Sequence, residues 1–352
     1  MKRNLKITAA VAIIISMLTG CGANKEQQGQ GITPGMANAE MLNDMKNGEA
    51  VDGSAVVTAF TEGLNKAEAT DSATIDTEVT ITMTEAGETI SSTNATTLKY
   101  MPGTAAEEEQ REVQTAEDAT GSDTATAESE RVASVAITNT YNGESSTIDG
   151  YYEDGYLYYT LEEQLVKETM TYDDLVAMVG SYALSFTESV VEDVYKIESD
   201  NETEYIIRFD ESAMSEMMTN NMANAGSPLG SGEDMILNEA YLYFVVDKDG
   251  YLEGFDMEID AKFISTESAD TAGTLPENTE AATGEATETV ESPFTYSVTA
   301  NFTEFNNTKV EKLEGLDTYR DVNEVIAEME QQAAEENSIE ETTVAENTQV
   351  AE

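Results

Sequence analysis

The chain of 352 residues has no histidine, no tryptophan and a single cysteine, Cys21. Without histidine there is no Ser-His-Asp or Cys-His nucleophile system, and no imidazole for the zinc sites that catalyse hydrolysis. Without tryptophan there is no indole platform on which a sugar ring would stack. One cysteine allows no disulfide within the chain. No serine stands three residues before a lysine, which removes the Ser-x-x-Lys nucleophile, and no Gly-rich stretch runs into Gly-Lys-Ser/Thr, which removes the P-loop. Cations are equally scarce, with 17 Lys and Arg against 70 Asp and Glu. Such a balance excludes nucleic acid as a partner and excludes adsorption to anionic lipid through a basic patch. Long apolar runs are also missing: Ile7 to Leu18 falls short of the roughly 20 residues that span a bilayer.

That short run has a different meaning in its context. Met1 to Lys6 is basic, Ile7 to Leu18 is apolar, and Leu18-Thr19-Gly20-Cys21 follows. Basic, apolar and then small residues at a cut site is the order of an export signal. The last four residues resemble the lipobox of bacterial lipoproteins. The resemblance implies cleavage between Gly20 and Cys21 and a diacylglycerol on the Cys21 thiol. The mature chain would then lose Lys2, Arg3 and Lys6, leaving 14 basic against 70 acidic residues, a balance of −56. Its partner is the membrane, reached through the lipid on Cys21, and two or three acyl chains at about 0.8 kcal/mol per methylene supply the hold.

Residues 21–53 are polar, rich in Gly, Gln and Asn, and without a sustained period, so they read as a flexible tether. Ser54 is expected to cap an amphipathic helix with Val57, Phe60, Leu64 and Ala67 on one face. Strands follow. Ile75, Val79, Ile81 and Met83 share a face, Ala86-Gly87 turns the chain, and Thr89 to Tyr100 forms a Thr/Ser-rich strand. Residues 101–131 hold almost no large apolar side chain and read as an acidic, disordered insertion in a hairpin. Val132 to Ile137 resumes the alternation. Tyr151, Tyr152, Tyr156, Tyr158 and Tyr159 surround an Asp154-Gly155 hairpin turn, Leu165 to Met170 is the next strand, and Thr171 to Asp174 matches a capping box opening a short helix. Val190 to Ile197 and Tyr205 to Phe209 pair as a second hairpin. Asp210 caps a helix bearing Met214, Met217, Met218 and Met222. Tyr241 to Val246, a Lys248-Asp249-Gly250 turn, and Phe255 to Phe263 make a third hairpin, with Asp256, Glu258, Asp260 and Lys262 on the solvent side. Residues 266–292 form a second acidic insertion, Phe294 to Phe302 a last strand, and Asp321 to Met329 a last helix. Residues 331–352 are an acidic, disordered tail.

One domain, 54–330, therefore carries both insertions: an α+β fold of antiparallel sheet with one apolar face and a few helices packed on it. The order of lipobox, tether, helix and long meander resembles the LolA/LppX-like lipoproteins, most of all their Gram-positive branch. The residues carrying the resemblance are Ile148-Asp-Gly150-Tyr-Tyr-Glu-Asp-Gly155-Tyr-Leu-Tyr158, Lys167, the Tyr172-to-Gly180 helix and Val246-Asp-Lys-Asp-Gly250-Tyr-Leu. It implies a strongly curved half-barrel with helices in its concave face, where the lipid-carrying members hold acyl chains. No ligand-binding residue transfers, because the family's lining positions are not defined by a motif.

The methionine stripe reads as core filler, with an adaptable apolar groove as the alternative. The tyrosines read as cross-strand stabilisers, with a ligand mouth as the alternative. Asp247-Lys-Asp249-Gly250 lacks the ligand spacing of a calcium loop and reads as a turn, and the acidic runs such as Glu107-Glu108-Glu109 read as solvated loops. No metal or other cofactor is implied, and nothing singles out a carboxylate pair for catalysis. The sequence thus points to a non-catalytic, extracytoplasmic lipoprotein that binds a lipid or other hydrophobic ligand. The alternative is an envelope module docking a protein partner through its acidic loops.

Overall fold

The computed structural model describes residues 31–85, 87–103, 131–179, 186–224, 233–267 and 288–331. The signal, Gly20 and Cys21 lie outside them, as do most of both acidic insertions and the tail.

The strands form one mixed sheet of thirteen, in the order β1-β8-β9-β10-β11-β12-β2-β3-β4-β5-β6-β7-β13, which does not close on itself. Two antiparallel meanders build it. The first is β2 (Ala73–Glu85), β3 (Glu88–Pro102), β4 (Arg131–Tyr141), β5 (Glu144–Glu153), β6 (Tyr156–Leu161) and β7 (Gln164–Thr169). The second is β8 (Val191–Glu198), β9 (Glu202–Phe209), β10 (Glu233–Asp247), β11 (Leu252–Glu267) and β12 (Glu288–Thr303). The two join where β12 pairs with β2, from Phe294 opposite Met83 to Thr303 opposite Thr74. Short strands finish the edges: β1 (Glu49–Ala50) on β8, and β13 (Arg320–Asp321) on β7. The β13 pairing is parallel, so the purely antiparallel sheet expected from the alternation is corrected at that edge.

Both insertions connect neighbouring strands, Pro102 lying opposite Arg131 and Glu267 opposite Glu288. The registers place them at opposite ends of the sheet. The end with the turns around Ser199, Lys248 and Asp154, and with Pro102 and Arg131, is called here the near end. The other, with Gly87, Asn142 and the Glu267–Glu288 pair, is the distal end.

Five helices accompany the sheet among the described residues: α1 (Ala39–Met45), α2 (Gly53–Glu68), α3 (Tyr172–Val179), α4 (Glu211–Asn224) and α5, residues 322–331. The cap of α2 is Asp52, whose carboxylate accepts the Ser54 N–H at 2.9 Å, rather than Ser54 itself. Its buried stripe is accordingly Val56, Phe60, Gly63 and Ala67, while Val57 and Leu64 are only half-buried. The capping box of α3 forms as expected: Thr171 Oγ1 accepts the Asp174 N–H at 3.0 Å and donates to Asp174 Oδ2 at 2.6 Å. Asp210 Oδ1 accepts the Ala213 N–H at 2.8 Å at the start of α4, and Asp321 Oδ1 accepts the Asn323 N–H at 2.9 Å at the start of α5.

The main core lies on the sheet face that receives α2, α3 and α4, here the helix face. One cluster runs from Val194 on β8 through Phe244, Phe255, Val298, Ile75, Leu98 and Val135 to Leu157 on β6. The opposite face differs from expectation. Residues 31–51 do not leave the domain as a tether but run across that face as a strap. Ile32 and Asn301 exchange two hydrogen bonds, with the Ile32 N–H donating at 2.7 Å and Asn301 Nδ2 donating to the Ile32 carbonyl at 2.9 Å. Ala37, Leu42 and Met45 then pack on Ile206, Tyr241, Tyr243 and Val245. The strap next turns round the β8 edge, where Glu49 and Ala50 pair with Lys196 and Tyr195, and enters α2 on the helix face.

Candidate functional site

The residues that could receive an apolar ligand are those between sheet and helices. Phe60 of α2 is the hub. Its ring centroid lies 5.2 Å from Phe244, 5.6 Å from Phe255 and 5.5 Å from Phe186, and Phe186 in turn meets Phe209 at 5.4 Å. These edge-on and tilted contacts are the geometry that aromatic quadrupoles favour. The methionine stripe divides by depth: Met214 is buried, while Met217 and Met218 lie half-buried against the core, so it fills and edges the interior as an ordinary helix does. The Met222 side chain lies outside those described. Met178 of α3 packs half-buried against the same cluster.

The near end of this interior is ringed by tyrosines. Tyr172, the first residue of α3, lies 6.0 Å from Tyr100 of β3 and 6.0 Å from Tyr152 of β5. The Arg131 guanidinium sits over both Tyr172, at 4.9 Å, and Tyr100, at 5.3 Å, and the Tyr100 hydroxyl is 3.0 Å from Thr70 Oγ1. Burial pushes the Tyr172 phenol up to about 12, against the opposing pull of the hydrogen bond and charge of Arg131. Of the expected tyrosine cluster, only Tyr152 and Tyr159 turn to the helix face, Tyr159 packing half-buried there. Tyr151 and Tyr158 pair across the hairpin on the other face at 6.4 Å, and Tyr158 meets Tyr319 at 5.3 Å. Burial, reinforced by Glu153, lifts Tyr151 to about 12, and burial, reinforced by Glu168, does the same to Tyr159. Neutral phenols in such positions hold a hairpin together and are poor nucleophiles.

The strap face carries the site that alternation concealed. Asp256, assigned to solvent by its place between Phe255 and Met257, is fully buried. Its Oδ2 accepts the Ala37 N–H at 2.7 Å and its Oδ1 accepts the Thr299 hydroxyl at 2.8 Å. Burial raises its pKa, against the pull of those two donors and of the Met36 and Gly35 backbone. Beside it, Glu258 accepts the Ser297 hydroxyl at 2.8 Å and is also raised by burial. An open recess of about 310 Å³ lies between the strap at Gly35 to Asn38 and the sheet at Glu239, Glu258 and Asp260. Among the described residues no group of three or more carboxylates or other ligating side chains is placed to hold a metal ion. The Asp247 carboxylate closes its own turn, its Oδ1 accepting the Asp249 and Tyr251 N–H groups, each at 2.8 Å. No described helix is long and apolar enough to cross a membrane.

No family model matches this sequence, and no curated protein does. Three of the solved structures similar to it are as follows. The lipoprotein LppX of Mycobacterium tuberculosis is 9% identical, with 73% of this chain and 97% of that one covered at a TM-score of 0.29. LprF of Mycobacterium bovis is 6% identical, covering 74% and 96% at 0.28. A LolA superfamily protein of Nitrosomonas europaea is 9% identical, covering 75% and 96% at 0.18. At these identities and TM-scores the likeness carries no argument.

Proposed function

We propose that this chain is an extracytoplasmic lipoprotein, moored by a lipid on Cys21, whose domain binds a lipid or other hydrophobic ligand without catalysis. In this reading the sheet is a strongly curved half-barrel, with α2, α3 and α4 in its concave face and the ligand between helix and sheet. The observation that carries it is how the interior is closed. A single apolar cluster covers the helix face from β8 to β6, and short helices, not a second sheet, lie over it. Such an interior opens by moving a helix of eight or fourteen residues, with every strand ladder left intact. The half-buried Met178, Met217 and Met218 give the moving parts adaptable side chains.

Native mass spectrometry of the mature protein, extracted from its own membrane, tests this. A co-purifying apolar mass, or uptake of an added phospholipid or fatty acid, is the expected result. A ligand-free protein that takes up neither removes the carrier reading. The alternative, docking of a basic partner through the acidic insertions, separates cleanly. Each insertion joins adjacent paired strands, so both shorten without altering a register. A carrier keeps its ligand after that change, whereas a docking module loses its partner.

A further inference from the structure

The strap has a consequence for how the domain sits above its anchor. From Cys21 to Gly31 the chain has ten Cα steps, which reach at most about 35 Å. At Ile32 it is already fixed to Asn301, two residues from the near-end terminus of β12, and five residues later Ala37 is fixed to Asp256. From Gly254, which faces Asn301 across the ladder, β11 runs thirteen residues further to Glu267, about 43 Å at strand rise. The near end thus stands within reach of the lipid, while the distal end, about 43 Å along β11, lies beyond the span of the fully stretched chain. Freed as far as Val51, the same chain would have thirty steps, about 100 Å, and would favour neither end.

We propose that residues 31–51 are a clasp that turns the near end of the sheet toward the bilayer carrying the anchor, so that a ligand enters from that membrane past Tyr100, Tyr152, Tyr172 and Arg131. This rests on the anchoring proposed above. The near end also carries side chains suited to a headgroup layer: Tyr251 stacks on Phe305 at 5.0 Å, and the Lys66 ammonium lies 4.5 Å over the Tyr251 ring. Charge does not set this orientation. Asp200, Asp247 and Asp249 share the same end with Lys66 and Lys248, so it offers no basic patch. The clasp imposes the orientation by covalent reach and by two fixed contacts, Ile32 with Asn301 and Ala37 with Asp256.

An acylated Cys21 leaves no free thiol, so single cysteines report cleanly. Full-length mature protein with Asp200→Cys, at the near end, or Glu144→Cys, at the distal end, is labelled with a fluorescent donor and bound to phosphatidylcholine vesicles containing an acceptor lipid. Energy transfer is expected to be several-fold stronger from position 200 than from position 144. Asn301→Ala with Asp256→Ala is expected to erase most of that difference. Hydrogen exchange on the same double variant should show residues 36–42 losing protection while β10 to β12 keep theirs. Equal transfer from both ends in the otherwise unaltered chain overturns the clasp, as does a difference that survives the double variant. Loss of protection by strap and sheet together likewise overturns it, because the two residues then hold the core. A chain that does not bind vesicles and whose N-terminal peptide carries no acyl mass removes the anchoring reading, and the clasp's role falls with it.

Discussion

The Ala37 N–H donates to Asp256 Oδ2 across 2.7 Å and 219 positions of sequence, in a place where neither group meets water. Asp256→Ala leaves that N–H and the Thr299 hydroxyl without their acceptor, at a cost of about 1–3 kcal/mol for a buried group. The thermal midpoint is expected to fall by several degrees. Proteolysis between residues 31 and 48 should rise more than cleavage in the sheet. A variant as stable as the parent would show the contact to be dispensable.

Stability should rise on mild acidification, the reverse of ordinary acid denaturation. Asp256, Glu258, Glu68 and Glu253 all have pKa values raised by burial. A carboxyl raised in the folded state binds protons more readily there than in the unfolded chain. Its contribution is complete below the unfolded value and is lost as pH rises through the folded one. Glu328 runs the other way, lowered by its Arg320 partner, but that pair is exposed and screened. The urea midpoint is therefore expected to be higher at about pH 5 than at about pH 7, with a smaller gain in Asp256→Asn. A midpoint that drops on acidification contradicts this.

Gly48 lies where the strap rounds the β8 edge. A Cβ there would stand 2.3 Å from the Lys196 carbonyl oxygen, which is backbone and cannot swing aside. Gly48→Ala should detach β1 from β8 and expose the edge of β8 to pairing with other chains. Faster exchange at the Val51 amide, which donates to the Val194 carbonyl at 3.1 Å, is the measurement.

The turn between β6 and β7 is made by Glu162 and Glu163, both in the left-handed region at φ +46° and +70°. That conformation costs a side-chain-bearing residue about 1–2 kcal/mol. Replacing the pair with Asn-Gly, the sequence such turns favour, is expected to raise the denaturation midpoint without altering the fold. Unchanged stability would show the backbone there to be unstrained.

Phe60→Ala removes the ring shared by Phe186, Phe244 and Phe255, at about 3–5 kcal/mol. If the ligand lies between α2 and the sheet, the cavity left behind should change which acyl length is bound. Uptake of a short-chain and a long-chain fatty acid, compared with the parent, checks it.

Much of the sheet was legible because alternation is a local signal. Phe294 to Phe302 and Ile75 to Met83 announce their buried face residue by residue, and Asp154-Gly155 and Lys248-Gly250 announce their turns. The pairing of those two strands with each other was not legible, since nothing local marks partners more than two hundred residues apart. The first part of β10 was missed for another reason: a bulge between Leu237 and Glu239 breaks the period there. The strap was concealed by its own composition, which matches that of a linker. One signal did point to it. Tyr241 to Val246 is apolar at every position, and a strand apolar on both faces demands cover on both. With that cover in place, Asp256 beneath it could not be in solvent. The tyrosines around Asp154-Gly155 divide between faces according to register, which sequence reaches only once the turn is placed.

The opposed positions of the two insertions carry an engineering lesson. Each bridges strands that are already zipped to their last pair, Pro102 with Arg131 and Glu267 with Glu288. Closing a longer bridge costs only logarithmically with its length. The domain therefore offers two independent splice ports at its poles, where a tag, reporter or foreign module can be grafted without rewriting any ladder.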